Sequence, residues 1–302
     1  MTLSNSGYSG YMSKAGDSAR IVFLGTGTSE GVPRVSCLTN PESTCVVCSD
    51  AMRPGSPNRR RNTSLLVQRT DTVGNRTNLV IDAGKFFYDS ALHWFPKYDV
   101  QTIDALVITH AHQDAVGGFD DLRDWTNNSQ STLPIFIRQQ DFDVVKLLFY
   151  YLVDRNKQTG GGGVAKIDFE TINHRPFNAA GFELVPLEVE HGEGRSANGY
   201  RVGPVSYISD TSKIPDPTKE LISGSQILIL DALRPERTHG THLTLEEAVE
   251  TARELGVKRT LLTDATHDID HEPVNAQLAK LRDAYGLDIQ YAYDGQSIDI
   301  DL

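Results

Sequence analysis

A chain of 302 residues, 39% of them hydrophobic, is long enough to bury a normal core as one large domain or two small ones. Its formal net charge of −11 gives it no general attraction to nucleic acid, so a nucleic-acid partner is disfavoured, although a local basic patch could still hold phosphate. No apolar run reaches the roughly 18 residues of a membrane-crossing helix, which argues against a membrane partner.

Residues 1–19 are polar and rich in Ser and Gly, lack the apolar core of a signal peptide, and read as a disordered lead-in to one domain over 20–302. Short apolar, β-branched runs come next: RIVFLGTG (20–27), TSLLVQR (63–69), TNLVIDAG (77–84) and ALVITHAH (105–112). All but the second end in Gly or His, as strands that feed functional loops do. A helix is expected over 139–153, followed by a flexible loop at TGGGGV (159–164). Further strands are FELVPLEVEHG (182–192), NGYRVG (198–203), PVSYISD (204–210) and QILILDAL (226–233). Thr244, with Glu247 three residues later, forms a capping box and starts a helix over 244–255. The strand RTLLTDATH (259–267), a helix near 273–285 and a closing strand DIQYAYDG (288–295) complete the chain. Two sets of strands, each accompanied by helices, fit an α/β protein with two packed sheets flanked by helices, an αββα sandwich.

The chemistry gathers at strand ends. His110 and His112 stand at i and i+2, where an extended segment or tight turn lets both face one point, and Asp114 follows. Imidazole is the commonest zinc ligand, so the pair reads as part of a metal site rather than two surface histidines. His191, Asp210, Asp264 and Asp82 each end an apolar strand. Any one of them could be a turn residue, but four together suggest one cluster at one edge of the sandwich.

The three cysteines, Cys37, Cys45 and Cys48, fall within twelve positions as C-x7-C-x2-C. The last pair has a familiar zinc-ligand spacing, and an odd, clustered set favours metal over disulfide. The lack of a signal-peptide core points to the cytoplasm, or the nucleus as well, where cysteines stay reduced. Arg59, Arg60 and Arg61 precede a strand, and either bind phosphate or form a solvated run. His239 and His242 lie just before the capped helix. GTGTSEGVPR (25–34) is Gly-rich but lacks a P-loop lysine, and reads as a loop near the metals.

From FLGTGTSEGVPR (23–34) to YDG (293–295), this ordered series resembles the metallo-β-lactamase-fold hydrolases. The closest likeness is to the branch of the phosphoribosyl cyclic phosphodiesterase, and more distantly to the Z-type tRNA-processing ribonuclease. The resemblance implies a first site of His110, His112 and His191, with Asp210 bridging two metals and Asp114 at the second. That second site normally adds two histidines, but here those places hold Ala115 and Asp264. A second site of Asp114, Asp210 and Asp264 would be all oxygen, suiting Mn²⁺ or Mg²⁺ better than Zn²⁺. The alternative is a mononuclear enzyme in which Asp264 orders water.

The resemblance also implies that His267 completes a structural Cys₃His zinc site, with His271 as a less favoured ligand, and that His242 reaches the substrate, with His239 as runner-up. The arginine run acquires a phosphate-binding role and Asp82 a supporting role behind a ligand histidine. The expected activity is a metal-dependent phosphodiesterase acting on a small cyclic phosphodiester or nucleotide. A metal-bound hydroxide would attack phosphorus, with Asp114, His242 and His239 as the catalytic side chains. A thioester, lactone or lactam hydrolase of the same fold is the first alternative, and a non-catalytic metal- or nucleotide-binding module the second. The partner is a small phosphorylated substrate, and a homodimer is left open.

Overall fold

The computed structural model describes residues 17–157 and 163–302. Six strands come first: β1 (Ser18–Gly25), β2 (Ser64–Thr70), β3 (Arg76–Ile81), β4 (Ala105–Val107), β5 (Leu133–Arg138) and β6 (Ile167–Ile172). Then follow β7 (Phe177–Ala179), β8 (Phe182–Glu190), β9 (Ser196–Val202), β10 (Val205–Ile208), β11 (Ile227–Asp231), β12 (Arg259–Thr263) and β13 (Asp288–Tyr291). The last strand, β14 (Ser297–Ile300), returns to the first sheet. The two seven-stranded sheets run β14-β1-β2-β3-β4-β5-β6 and β13-β12-β11-β10-β9-β8-β7. Each is mixed: β3 to β6 and β10 to β13 are parallel, and the remaining neighbours antiparallel.

Alternation along the strands builds the layers. Ile21, Phe23, Leu65 and Val67 face Leu184, Tyr200, Tyr207 and Ile229 across the space between the sheets. The intervening residues Val22, Leu24, Leu66 and Val80 turn outward, onto Phe87, Ala91 and Phe95 of the helix Phe87–Tyr98. On the other sheet Leu228, Leu230 and Leu262 cover Ala248, Ala252 and Leu278 of the helices Leu245–Leu255 and His271–Tyr285. The result is the expected αββα sandwich. The capping box at Thr244 is present, with Thr244 Oγ1 accepting from Glu247 N at 3.2 Å.

Several elements differ from the sequence reading. The helix expected over 139–153 breaks into Gln139–Leu148 and Tyr150–Val153. Phe149, between them, leaves helical geometry (φ −121°, ψ 43°) and packs on Phe119 at 5.4 Å between ring centroids. Ser18 and Ala19, at the end of the supposed lead-in, belong to β1, while residues 1–16 lie outside the described residues. So does most of the Gly-rich loop expected at 159–164. Among the described residues no helix is long and apolar enough to cross a membrane.

Candidate metal centre

Parallel strands deliver the site. β3, β4, β10, β11 and β12 end at or just before Asp82, His110, Asp210, Asp231 and Asp264, and β8 ends before His191. Carboxyl ends of neighbouring strands thus form one rim, where open α/β sheets hold their ligands. Asp82 and Asp264 adopt left-handed backbone (φ 63° and 64°). Such strain costs about 1–3 kcal/mol per residue and persists where the surroundings impose it. Gly84 is required by close approach, because a methyl group there would lie 1.8 Å from the carbonyl oxygen of Asp114.

Donor atoms of His110, His112 and His191 lie within 4.8 Å of one another, as do those of His110, Asp114 and Asp210. His191 Nε2 and His112 Nδ1 are 3.3 Å apart. That separation matches the edge of a zinc–imidazole tetrahedron, about 3.3 Å for bonds near 2.05 Å. The outer nitrogens are fixed. His110 Nδ1 donates to Thr109 Oγ1 at 2.9 Å, and that hydroxyl donates to Asp82 Oδ2 at 2.7 Å. His191 Nδ1 donates to the carbonyl of Thr241 at 3.0 Å. In each case Nε2 keeps its lone pair for a metal, the usual arrangement behind a ligating histidine. Asp82 therefore supports His110 through Thr109 rather than directly.

Buried His110 Nε2 and Asp114 Oδ1 have no hydrogen-bond partner among the described residues. Desolvation pulls His191 below the usual histidine range, favouring the neutral form that a metal ligand needs. Burial would raise Asp210, but His110, His242 and His191 overcome it and bring it down to about 2. The donor set and its orphaned atoms fit a divalent cation.

Asp264 sits apart from Asp114. It groups with Asp231 and His242, whose donor atoms also lie within 4.8 Å. His242 Nδ1 donates to Asp231 Oδ2 at 3.0 Å, and Asp264 Oδ2 lies 3.1 Å from the same nitrogen. Burial pulls His242 down, but Asp231 and then Asp264 push it up to about 12. Burial also raises Asp231 to about 6 and Asp264 well above the carboxylate range. The sequence reading missed Asp231, although it ends the apolar strand LILD as Asp82 ends LVID. His239 is exposed, with its ring 5.2 Å from that of His242. Its Nδ1 accepts from the Thr241 amide N–H at 3.4 Å, with Thr241 Oγ1 3.0 Å away, so in the neutral ring Nε2 bears the proton.

A cavity of about 470 Å³ opens on the histidines and is lined also by Gln140, Val144 and Arg195. The arginine run does not reach it. Arg60 is 1% exposed and donates to the carbonyl of Thr266, while Arg61 pairs with Asp89 at 2.6 Å and Asp294 at 3.2 Å. Arg59 lies 3.7 Å from Asp89. Arg61 is thus taken up by ion pairs and Arg60 by hydrogen bonds within the fold, while the side chain of Arg59 stays 43% exposed.

The cysteines converge far along the chain from their partner. Cys37, Cys45 and Cys48 Sγ each lie 3.4 Å from His267 Nδ1. A Cys₃His zinc tetrahedron has S···N edges of about 3.5 Å. Amide N–H groups of Arg34 and Cys48 point at Cys48 and Cys45 Sγ, both at 3.4 Å, as they do around thiolates. Burial raises the Cys48 thiol to about 12, and its cysteine neighbours add to the rise, so a cation is what would hold these sulfurs ionised. His271 lies elsewhere, bonded through Nε2 to Asn275.

A family described as the beta-lactamase superfamily domain matches residues 77–264, more than half of the chain. An octanoyltransferase of Porphyromonas gingivalis is 30% identical over 93% of this chain, and the chain spans only 52% of that protein. A crystal structure described as a new diphosphatase from the PhnP family is 31% identical. It covers 94% of this chain and 98% of its own, with a TM-score of 0.76. Human tRNase Z, short form, shares the fold at 16% identity and a TM-score of 0.57, over 94% of this chain and 100% of that one.

Proposed function

This chain belongs to the β-lactamase superfamily and has the metallo-β-lactamase fold of its hydrolases, and from that premise we propose that it hydrolyses small phosphodiesters, cyclic ones or nucleotides, with a divalent cation at His110, His112 and His191. The observation that carries the reading is the convergence of those three imidazoles, two of them with fixed outer nitrogens, beside buried Asp114 and Asp210 at the edge of an open cavity. The diphosphatase at 31% identity supports phosphorus over carbon as the centre attacked.

When bound there, a divalent cation supplies a Lewis acid and lowers the pKa of water. Three imidazoles suit zinc, and the carboxylate side admits Mn²⁺, Mg²⁺ or Zn²⁺. His110, His112 and His191 would hold the cation, and Asp82, through Thr109, fixes the ring of His110. A proton for the leaving oxygen would come from His239, the exposed histidine whose ring lies 5.2 Å from that of His242. The Cys37, Cys45, Cys48 and His267 group would hold a structural zinc that ties the N-terminal loop to the segment after β12. The substrate partner is a small phosphorylated molecule. The net charge of −11 argues against a long nucleic acid. Three reduced thiols at metal-ligand spacing support a cytoplasmic setting.

A second reading is thioester hydrolysis, favoured by the relative named octanoyltransferase. That protein is about twice the matched length, so its acyl transfer is equally compatible with the half this chain does not span. Turnover of bis(p-nitrophenyl) phosphate and of an octanoyl thioester, compared in Zn²⁺ and Mn²⁺, decides. Phosphodiester turnover at least tenfold the faster in kcat/KM is expected. The reverse order would replace the first reading by the second, and inactivity on both in every metal would refute both.

A further inference from the structure

We propose that His242 is a metal ligand, supplying the nitrogen donor missing at Ala115, and that Asp231 and Asp264 position it while His239 gives the proton. The inference rests on the metal-dependent reading above and specifies its second cation.

The second side of the centre lacks a nitrogen donor. Ala115 is buried and offers no donor atom. The remaining residues there, Asp114 and Asp210, supply oxygen only. His242 is the one further imidazole whose donor atom lies within 4.8 Å of both a His191 and an Asp210 donor, among the described residues. Its ring centroid is 5.1 Å from that of His191, the same spacing as between His110 and His191.

Orientation follows from Asp231. That carboxylate is fully buried and takes the Nδ1 proton of His242 at 3.0 Å. Nδ1 is thereby committed, and Nε2 is what the ring can offer a cation. A carboxylate behind one imidazole nitrogen is the arrangement that aims the other nitrogen at a metal. His110, through Thr109 and Asp82, and His191, through the Thr241 carbonyl, are held in the same manner.

Asp264 adds a second grip. Its Oδ2 is buried, 3.1 Å from His242 Nδ1, and has no hydrogen-bond partner of its own. Asp231 Oδ1 is likewise buried without a partner. Two buried, unpartnered carboxylate oxygens beside the ring, with an Asp210 donor atom within 4.8 Å of it, make the kind of polar setting that a bound cation completes. His239 differs in every respect. It is exposed, its Nδ1 is satisfied by Thr241, and its proton sits on the free nitrogen. It is placed to give a proton away, whereas His242 is placed to be held.

Metal counting separates the roles. The protein is stripped, reconstituted with Zn²⁺ or Mn²⁺, desalted and assayed for metal per chain, with Cys48→Ser used to subtract the cysteine site. Wild type should hold two cations at the His/Asp centre. His242→Ala should hold one, and His239→Ala two with slowed turnover of a poor leaving group. Asp231→Asn keeps the ring and should weaken the second cation about 10- to 100-fold, which provides a test if His242→Ala fails to fold. A second cation retained at wild-type affinity in His242→Ala, or in Asp231→Asn where His242→Ala does not fold, would overturn the assignment and leave the metal-dependent reading standing. A wild-type centre that takes a single cation would also overturn it. A centre that takes none in any metal would sink both.

Discussion

Thr109→Val tests the support behind the first metal side chain. Valine keeps the shape of threonine and removes one oxygen. That oxygen accepts from His110 Nδ1 at 2.9 Å and donates to Asp82 Oδ2 at 2.7 Å, and both partners are buried. Asp82 keeps only its bond from the Thr109 amide at 2.8 Å. Leaving a buried polar group unpaired costs about 1–3 kcal/mol, more when it is charged. Two such groups should lower stability by about 3 kcal/mol. The ring of His110 is then free to rotate or take the other tautomer, and loss of such a support typically weakens metal binding 10- to 100-fold. Urea unfolding of the metal-free protein reads the first quantity, and competition with a chelating dye the second. Thr109→Ser, which restores the hydroxyl, should return affinity to within about threefold, the residue of a lost methyl. Metal affinity within twofold of wild type in Thr109→Val would refute the idea that this relay holds His110.

Other outcomes follow from the same geometry. Cys48→Ser should lose one metal per chain and unfold at lower denaturant, because the two remaining sulfurs and His267 no longer close a tetrahedral site. Metal content equal to wild type would count against it. His271 is buried and held down to about 4, by desolvation first and then by Arg60. Its folded value lies below the unfolded value near 6.5. The unfolded chain therefore binds the extra proton, and stability is lost as pH falls through about 6.5 towards 4. The full shift corresponds to roughly 3 kcal/mol. In His271→Asn that part of the slope should vanish, as read from the difference between the two proteins in urea midpoints at pH 4.5 and 7. Equal slopes would exclude His271 as its source.

Much of the site was legible because strands that end in His or Asp announce themselves. His110, His112, His191 and Asp210 each close an apolar run, and the structure brings them to one rim. Asp231 carries the same signal and passed unnoticed within QILILDAL. The arginine run misled for a physical reason. The acidic partners of Arg61, Asp89 and Asp294, lie 28 and 233 positions away, and the carbonyl that Arg60 bonds lies 206 away, so the sequence shows three adjacent charges and hides what holds two of them. Asp264 was placed by analogy with a lost histidine, yet a shorter side chain at the same strand end reaches His242 rather than Asp114.

Fold class came from apolar patterning, and the elements that escaped it lack that pattern. β6 alternates half-buried with exposed residues and carries Asp168, Glu170 and Thr171. β14 is only four residues long. The helix Phe87–Tyr98 contains Pro96, which usually argues against a helix interior. It is tolerated near the last turn, where packing of Phe87, Ala91 and Phe95 on the sheet holds the rest.

The central claim is that a cation at His110, His112 and His191 drives phosphodiester hydrolysis. Its most direct test is the initial rate of bis(p-nitrophenyl) phosphate hydrolysis before and after chelation, in wild type and in His112→Ala. The account predicts that chelation abolishes turnover, that added Zn²⁺ or Mn²⁺ restores it, and that His112→Ala is inactive throughout. Turnover surviving both chelation and the substitution would contradict it.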